Sequence, residues 1–264
     1  MIYYISIDEK GRGVAMSYSY SDFSRVYDKL ISDVDYSELC VNMLKLCEEN
    51  SHKPSLVLDA ACGTGNFTKE LEKRGLDVIG VDCSPEMLSV AQQKLSENTR
   101  LVCQDLCQLQ LFGTVDTVFC TLDSLNHITD YEKFAQAVKS ISSFIQEGGL
   151  MIFDVNTVYK HQEVLGDNVF VSEEDDIYLV WENTLLEKNT VNINLDFFVC
   201  EKDDKYTRYS ENFDERAYTQ DEIKSALTQA NLKILETRDF YTNSKPTEKS
   251  EKIIYVVKKE NDYE

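Results

Sequence analysis

An apolar run that ends in a carboxylate and then turns on glycine is the part of this chain best suited to chemistry. Leu56-Val57-Leu58-Asp59 leads into Ala60-Ala61-Cys62-Gly63-Thr64-Gly65-Asn66. The first half reads as a buried strand and the residues from Asn66 as a helix. The first crossover of an open parallel sheet places a nucleotide-like ligand at such a turn. Gly63 and Gly65 have no Cβ, so the backbone can bend sharply there and approach a ligand closely. The next strand, Val78-Ile79-Gly80-Val81-Asp82, ends in a second carboxylate. Asp82 is an acceptor for the two hydroxyls of a ribose.

Two ligand classes suit this arrangement. A dinucleotide fingerprint has the order G-x-G-x-x-G. Here Thr68 occupies the third glycine position, and Cys62 or Ala61 the first, depending on the frame. Asp59, just before the turn, repels a pyrophosphate and attracts an ammonium. S-adenosylmethionine carries an α-amino group, a ribose and an adenine but no phosphate, and it fits these residues better. At Asp59-Ala60-Ala61-Cys62-Gly63-Thr64-Gly65 the chain resembles the class I S-adenosylmethionine-dependent methyltransferases, whose first motif is written D/E-x-G-x-G-x-G. Ala61 stands where the first glycine is commonest. The departure reads as mild, because alanine adopts most backbone conformations outside the left-handed region.

These residues must be carried by a series of alternating elements. Asp35 and Glu38 form a capping pattern before Leu39, Met43 and Leu46, which share one helical face. Strands are expected at 55–59, 77–82, 100–103, 115–120 and 150–154, with helices at 66–74, from Pro85 after the cap Ser84, and at 130–146. Gly75 closes the second helix and Gly148-Gly149 the fourth. Strands alternating with helices at this spacing argue a parallel sheet. From about Phe170 to Phe213 the pattern changes to strand-like alternation, clearest at Val191, Ile193, Leu195, Phe197 and Val199. Glu201-Lys202-Asp203-Asp204 reads as a turn within it. Helical register resumes at Thr219, with Glu222 three residues on. Strands at 232–239 and 253–257 complete the sheet. The expected fold is α/β: a doubly wound, mostly parallel, seven-stranded Rossmann-like sheet with a small antiparallel β insertion. The divisions are an N-terminal extension and lid at 1–35, a cofactor-binding domain at 36–160 and 215–264, and the insertion at 161–214 capping a substrate pocket. Residues before Met16 are expected to be dispensable.

The resemblance extends beyond the first motif. Phe23-Ser24-Arg25-Val26-Tyr27-Asp28-Lys29-Leu30 is similar to the N-terminal lid of a bacterial small-molecule subgroup of these enzymes. It implies that Tyr27 reaches the cofactor carboxylate. The same subgroup carries a β insertion after strand five and an Arg-x-Tyr, here Arg216 and Tyr218, before the next helix. The resemblance implies a cofactor pocket built from Asp59, Ala61, Gly63, Gly65 and Asp82. Cys83 and Met87 flank the adenine, Gln104, Asp105 and Leu106 read it, and Cys120, at the end of the fourth strand, is a further cofactor-binding residue. His127 is the histidine placed near the transferred methyl group, and a neutral imidazole is a general base. Asp123, Asp154, Asn156 and Tyr159 are further pocket candidates, while His52 and His161 are given no role.

Composition narrows the partners. The 264 residues suffice for one domain, or for one domain with an insertion. The formal net charge is −20, which opposes nucleic acid and anionic membranes. The chain also lacks the Asn/Asp-Pro-Pro-aromatic tetrad of base-methylating enzymes after strand four, where Thr121 to His127 stand. The eight cysteines have no Cys-x-x-Cys pair, which points to reduced thiols and no metal site. No apolar run nears the roughly 18 residues of a membrane span, and no signal segment opens the chain, so a cytoplasmic location is expected. The leading expectation is methyl transfer from S-adenosylmethionine to a small molecule. The alternatives are a nicotinamide-dependent oxidoreductase, a module that binds S-adenosylmethionine without catalysis, and a protein methyltransferase.

Overall fold

The computed structural model describes residues 28, 34–174, 176–200 and 205–260. Tyr27, the residues before Met16, and the turn at Glu201 to Asp204 lie outside the described residues. The elements run α1 (Tyr36–Glu49), β1 (Leu56–Ala60), α2 (Asn66–Lys73), β2 (Asp77–Asp82), α3 (Pro85–Lys94), β3 (Arg100–Cys103), β4 (Val115–Cys120), α4 (Tyr131–Ser142), β5 (Ile145–Asn156), β6 (Val169–Glu174), β7 (Ile177–Leu185), β8 (Thr190–Cys200), β9 (Tyr206–Arg216), α5 (Gln220–Gln229), β10 (Leu232–Asp239) and β11 (Lys252–Lys259).

Seven strands form one sheet in the order β10-β11-β5-β4-β1-β2-β3. The pairs from β5 through β3 are parallel, and β11 runs antiparallel to both its neighbours. The chain steps from β1 to β2 on one side and returns to β4 on the other. That reversal opens a crevice at the carboxyl ends of β1 and β4, the usual ligand position in such sheets. Strands β1, β4 and β5 are buried on both faces, so their apolar runs are continuous rather than alternating. Leu58, Val118 and Phe153 pack beneath α4 and α5, and Val57, Phe119 and Ile152 beneath α1 and α2.

The caps set where helices begin. Asp35 accepts from Glu38 N at 2.8 Å, Ser84 from Met87 N at 3.1 Å, and Thr219 and Glu222 bond reciprocally at the head of α5. Each satisfies backbone donors that the first helical turn leaves without partners. One boundary departs from expectation. Helix α4 ends at Ser142, and Ile145 already pairs with Val115. The glycines at 148 and 149 lie inside β5, where the register shifts between the Ile145 and Leu150 pairings. A Cβ on Gly149 would stand 2.7 Å from Asp116 O, so close strand contact explains this glycine better than a helix stop.

The insertion is a separate four-stranded antiparallel sheet in simple order, β6-β7-β8-β9. One face of it packs on the main body. Ile177 and Phe197 cluster with Met87 of α3, and Phe213 stacks beside His127 with ring centroids 5.0 Å apart. No helix among the described residues is long and apolar enough to cross a membrane.

Candidate functional site

The turn after β1 is built from left-handed backbone. Ala61, Gly63 and Gly65 have φ of 61°, 53° and 77°. Ala61 therefore occupies the region that a Cβ disfavours by roughly 1–2 kcal/mol, and the alanine is a strained departure rather than a mild one. A Cβ on Gly65 would lie 3.0 Å from both Ala91 Cβ and Leu95 Cδ1, whereas one on Gly63 would meet nothing within 4 Å. Gly65 is thus set by packing against α3, and Gly63 borders open space.

Asp82 ties this turn to the next. Its Oδ2 accepts from Gly63 N at 2.8 Å and its Oδ1 from Ser84 N at 2.8 Å. Each carboxylate oxygen keeps a second lone pair for a ligand hydroxyl. Burial pushes the Asp82 carboxyl above its usual range, against the two backbone bonds. Asp59 is 1% exposed, and its Oδ2 accepts from Thr68 Oγ1 at 2.5 Å. Burial, with Asp82 nearby, pushes it up to about 7. Its described contact is to the first turn of α2, inside the crevice wall. Asp28 accepts from Thr64 Oγ1 at 2.6 Å and Asn66 Nδ2 at 2.9 Å and pairs with Lys94, so this residue fastens onto the same turn.

The other cofactor candidates separate by depth. Cys83 is exposed and Met87 is 7% exposed beneath the insertion. Gln104 N donates to Asp82 O at 3.0 Å, and its Oε1 accepts from Gln110 N at 2.8 Å. Asp105 is exposed and accepts from Cys107 N at 2.8 Å, capping a short 3-10 turn over Leu106–Gln108. Leu106 is buried with its side chain in the core. Cys120 is 0% exposed in the same core and offers no surface to a ligand. All eight cysteines are free thiols.

Past β4 the chain bends through two consecutive left-handed residues, Leu122 at φ 58° and Asp123 at φ 52°. Asp154, fully buried, accepts from both of their N–H groups at 2.8 Å and holds the bend. Lys252 Nζ lies 2.6 Å from Asp123 Oδ1 and 3.5 Å from Asp154 Oδ2. Burial works against the Asp123 carboxylate, but Lys252 and Lys160 hold it well below the usual range. Burial pulls the Lys160 ammonium down, while Asp123 and Asp154 carry Lys252 well above normal despite its burial. Asn156 Nδ2 donates to Asp123 Oδ2 at 2.8 Å and to Glu215 Oε2 at 3.2 Å, and Lys160 Nζ reaches Asn156 Oδ1 at 3.0 Å.

His127 ends a 3-10 turn over Ser124–His127 and stands at the edge of this network. It is half exposed, with Nε2 3.5 Å from Glu215 Oε1. His161 is fully buried, with Nδ1 2.9 Å from Asn189 O and Nε2 3.7 Å from Glu215 Oε2. Glu215 therefore stands between two histidines and an asparagine. Tyr159 is half-buried at the head of the π-helix Lys160–Leu165. Arg216 and Tyr218 brace the His127 loop. Arg216 donates to Thr129 O at 3.2 Å and Glu222 Oε1 at 2.5 Å, and Tyr218 OH to Ile128 O. His52 bonds Thr117 Oγ1 at 2.8 Å, far along β4 from the crevice.

Lys252, Lys160 and Glu215 are site residues that the sequence reading missed. A usable signal was present in β9, where Tyr209-x-Glu211-x-Phe213-x-Glu215 alternates with outward polar residues and puts two acids on the inner face.

Comparison with known proteins decides the family. A model described as a methyltransferase domain matches residues 57–149. A solved S-adenosylmethionine-dependent methyltransferase of Clostridium acetobutylicum is 38% identical, covers 92% of this chain and 99% of its own, and superposes with a TM-score of 0.82. This chain is an S-adenosylmethionine-dependent methyltransferase. A Geobacillus chain named as a methyltransferase is 33% identical over 91% of this chain and 100% of its own length. An amino pentose methyltransferase of Micromonospora echinaspora, solved with S-adenosylmethionine bound, shares the fold at 16% identity, with TM-score 0.75 over 94% of this chain and 100% of its own. The methyltransferase reading displaces the oxidoreductase and the non-catalytic module, and S-adenosylmethionine is the methyl donor.

Proposed function

We propose that this methyltransferase acts on a small molecule held between the carboxyl edge of the seven-stranded sheet and the four-stranded insertion. The observation that carries the reading is the position of His127. It lies beside the crevice and under the insertion, against Phe213 and Glu215 of β9. The amino pentose acceptor named for the Micromonospora enzyme is a small molecule, and the acidic surface disfavours nucleic acid.

Bound S-adenosylmethionine supplies a methyl group already activated on a sulfonium. The chain's residues bind, orient and exclude water. Asp82 takes the ribose hydroxyls while its other lone pairs hold Gly63 and Ser84, and the open side of Gly63 passes the methionine part. Cys83, Gln104, Asp105 and the Leu106 N–H border the adenine, with Met87 behind it. Asp59 and Ala61 shape the turn from within. The insertion at 161–214 roofs the acceptor. Orientation and a water-poor pocket supply most of the rate. His127 takes a proton from an acceptor that arrives protonated, and Glu215 orients the ring.

The test is a screen of acceptors with labelled methyl donor, read by mass gain, followed by His127→Ala. The variant should lower turnover by about ten- to a hundredfold, flatten the pH–rate profile and leave S-adenosylhomocysteine binding intact. An unchanged rate and pH profile would remove His127 from the reaction.

A further inference from the structure

The inner face of the insertion carries a carboxylate with one oxygen that nothing among the described residues answers. Directly opposite residues of antiparallel strands share a face, and the register places Phe170, Trp181, Leu195 and Glu211 in one row. Tyr209 and Phe213 flank Glu211 along β9, each roughly 7 Å away. Trp181, Leu195, Tyr209 and Phe213 pack into the apolar clusters of this face, and each keeps part of its surface exposed. Glu211 is 6% exposed. Its Oε1 has no hydrogen-bond partner among the described residues. Burial pushes its carboxyl up, with no charged neighbour among the described residues contributing.

A buried carboxylate without a partner is costly, and each such exception in a folded protein calls for an explanation. Its position supplies one. The same face meets Met87 through Ile177 and Phe197 at one end and His127 through Phe213 at the other. Glu211 stands between those two contacts, facing the space that the acceptor would enter.

We infer that Glu211 anchors an acceptor bearing a protonated amine on an apolar, ring-sized body; this rests on the reading that the insertion roofs the acceptor site. An ammonium brings the donors that Oε1 lacks. The rings of Trp181, Tyr209 and Phe213 are suited to both the cation and the apolar body. A hydroxyl in the same place leaves the charge uncompensated, and an anionic head group is repelled. The formal net charge of −20 adds long-range attraction for a cation. Glu211 acts here as a binding contact and takes no proton.

Cyclohexylamine and cyclohexanol, matched in body and different in head group, are the probes. Each is titrated into the full chain by ligand-observed NMR, with and without saturating S-adenosylhomocysteine. The amine should bind at least tenfold more tightly than the alcohol. Glu211→Gln, which keeps the side-chain shape, should abolish that preference while Tm and S-adenosylhomocysteine affinity stay at or above wild type. An amine that binds no better than the alcohol overturns the inference, undetectable binding of both included. A preference that survives Glu211→Gln overturns it equally. The roof reading fails by a different result, namely an amine that binds with Glu211-dependent preference but leaves the His127 resonances unmoved.

Discussion

The two ends of the crevice handle buried acid in opposite ways. On the cofactor side Asp59 and Asp82 are held by a hydroxyl and by backbone N–H groups, with no cation in the described contacts, and both carboxyls are pushed up. On the proposed acceptor side Asp123 and Asp154 share Lys252, with Lys160 close behind; Asp123 is held low, while burial still pushes Asp154 up. The first arrangement is a pair of acids without a cation, whose ionised forms gain from an incoming sulfonium and ammonium. The second already holds its own cation, and Asp154 is left to shape the backbone at Leu122 and Asp123. The same residue type binds in one place and builds in the other, and the position of lysine decides which.

That contrast breaks most visibly at Lys252. Lys252→Met keeps an unbranched side chain, one atom shorter, and strips both acids of their cation. Stability should fall by about 3–5 kcal/mol, the usual loss when one partner of a buried pair is removed. Urea denaturation at pH 7 measures it, and an unchanged midpoint would show that Lys160 alone suffices.

Asp59 sharpens the comparison through pH. Its folded value of about 7 exceeds the ordinary 3.8, so the folded state holds a proton that the unfolded chain has released. Stability should therefore decline as pH rises from about 4 to about 7 and then level off, by roughly 1.4 kcal/mol per unit at the steepest. Asp59→Asn should flatten that slope in denaturation curves taken across the range. A slope equal to wild type would assign the linkage to another group.

The smallest expected effect is at Asp82. Asp82→Ala removes the ribose acceptor and leaves the Gly63 and Ser84 N–H groups without theirs. S-adenosylhomocysteine binding should weaken by about 1.5–3 kcal/mol, the range for hydrogen bonds to a charged group. Calorimetry showing no loss would move the ribose elsewhere.

The cofactor side was legible in the sequence because its parts are local. Asp82 reaches Gly63 across 19 positions, and both lie at strand ends that the apolar runs announce. The starts of α3 and α5 were equally legible, since a cap and its helix are neighbours in the chain. The acceptor side was not. Lys252 meets Asp123 across 129 positions, and no local pattern couples the head of the last strand to a bend after the fourth. The end of α4 was misplaced for a related reason: Gly149 looks like a helix stop but is fixed by contact with the neighbouring strand.

Propensity, period and turn chemistry act over a few residues, so the chain alone determined the alternating elements, the glycine turn, the acid that closes β2 and the family they imply. Only the folded arrangement decided that Ala61 sits in left-handed backbone, that Glu215 stands between two histidines, and that one oxygen of Glu211 is buried on the insertion's inner face without a partner among the described residues. Those facts depend on which distant surfaces meet, and desolvation and charge pairing have no value until they do.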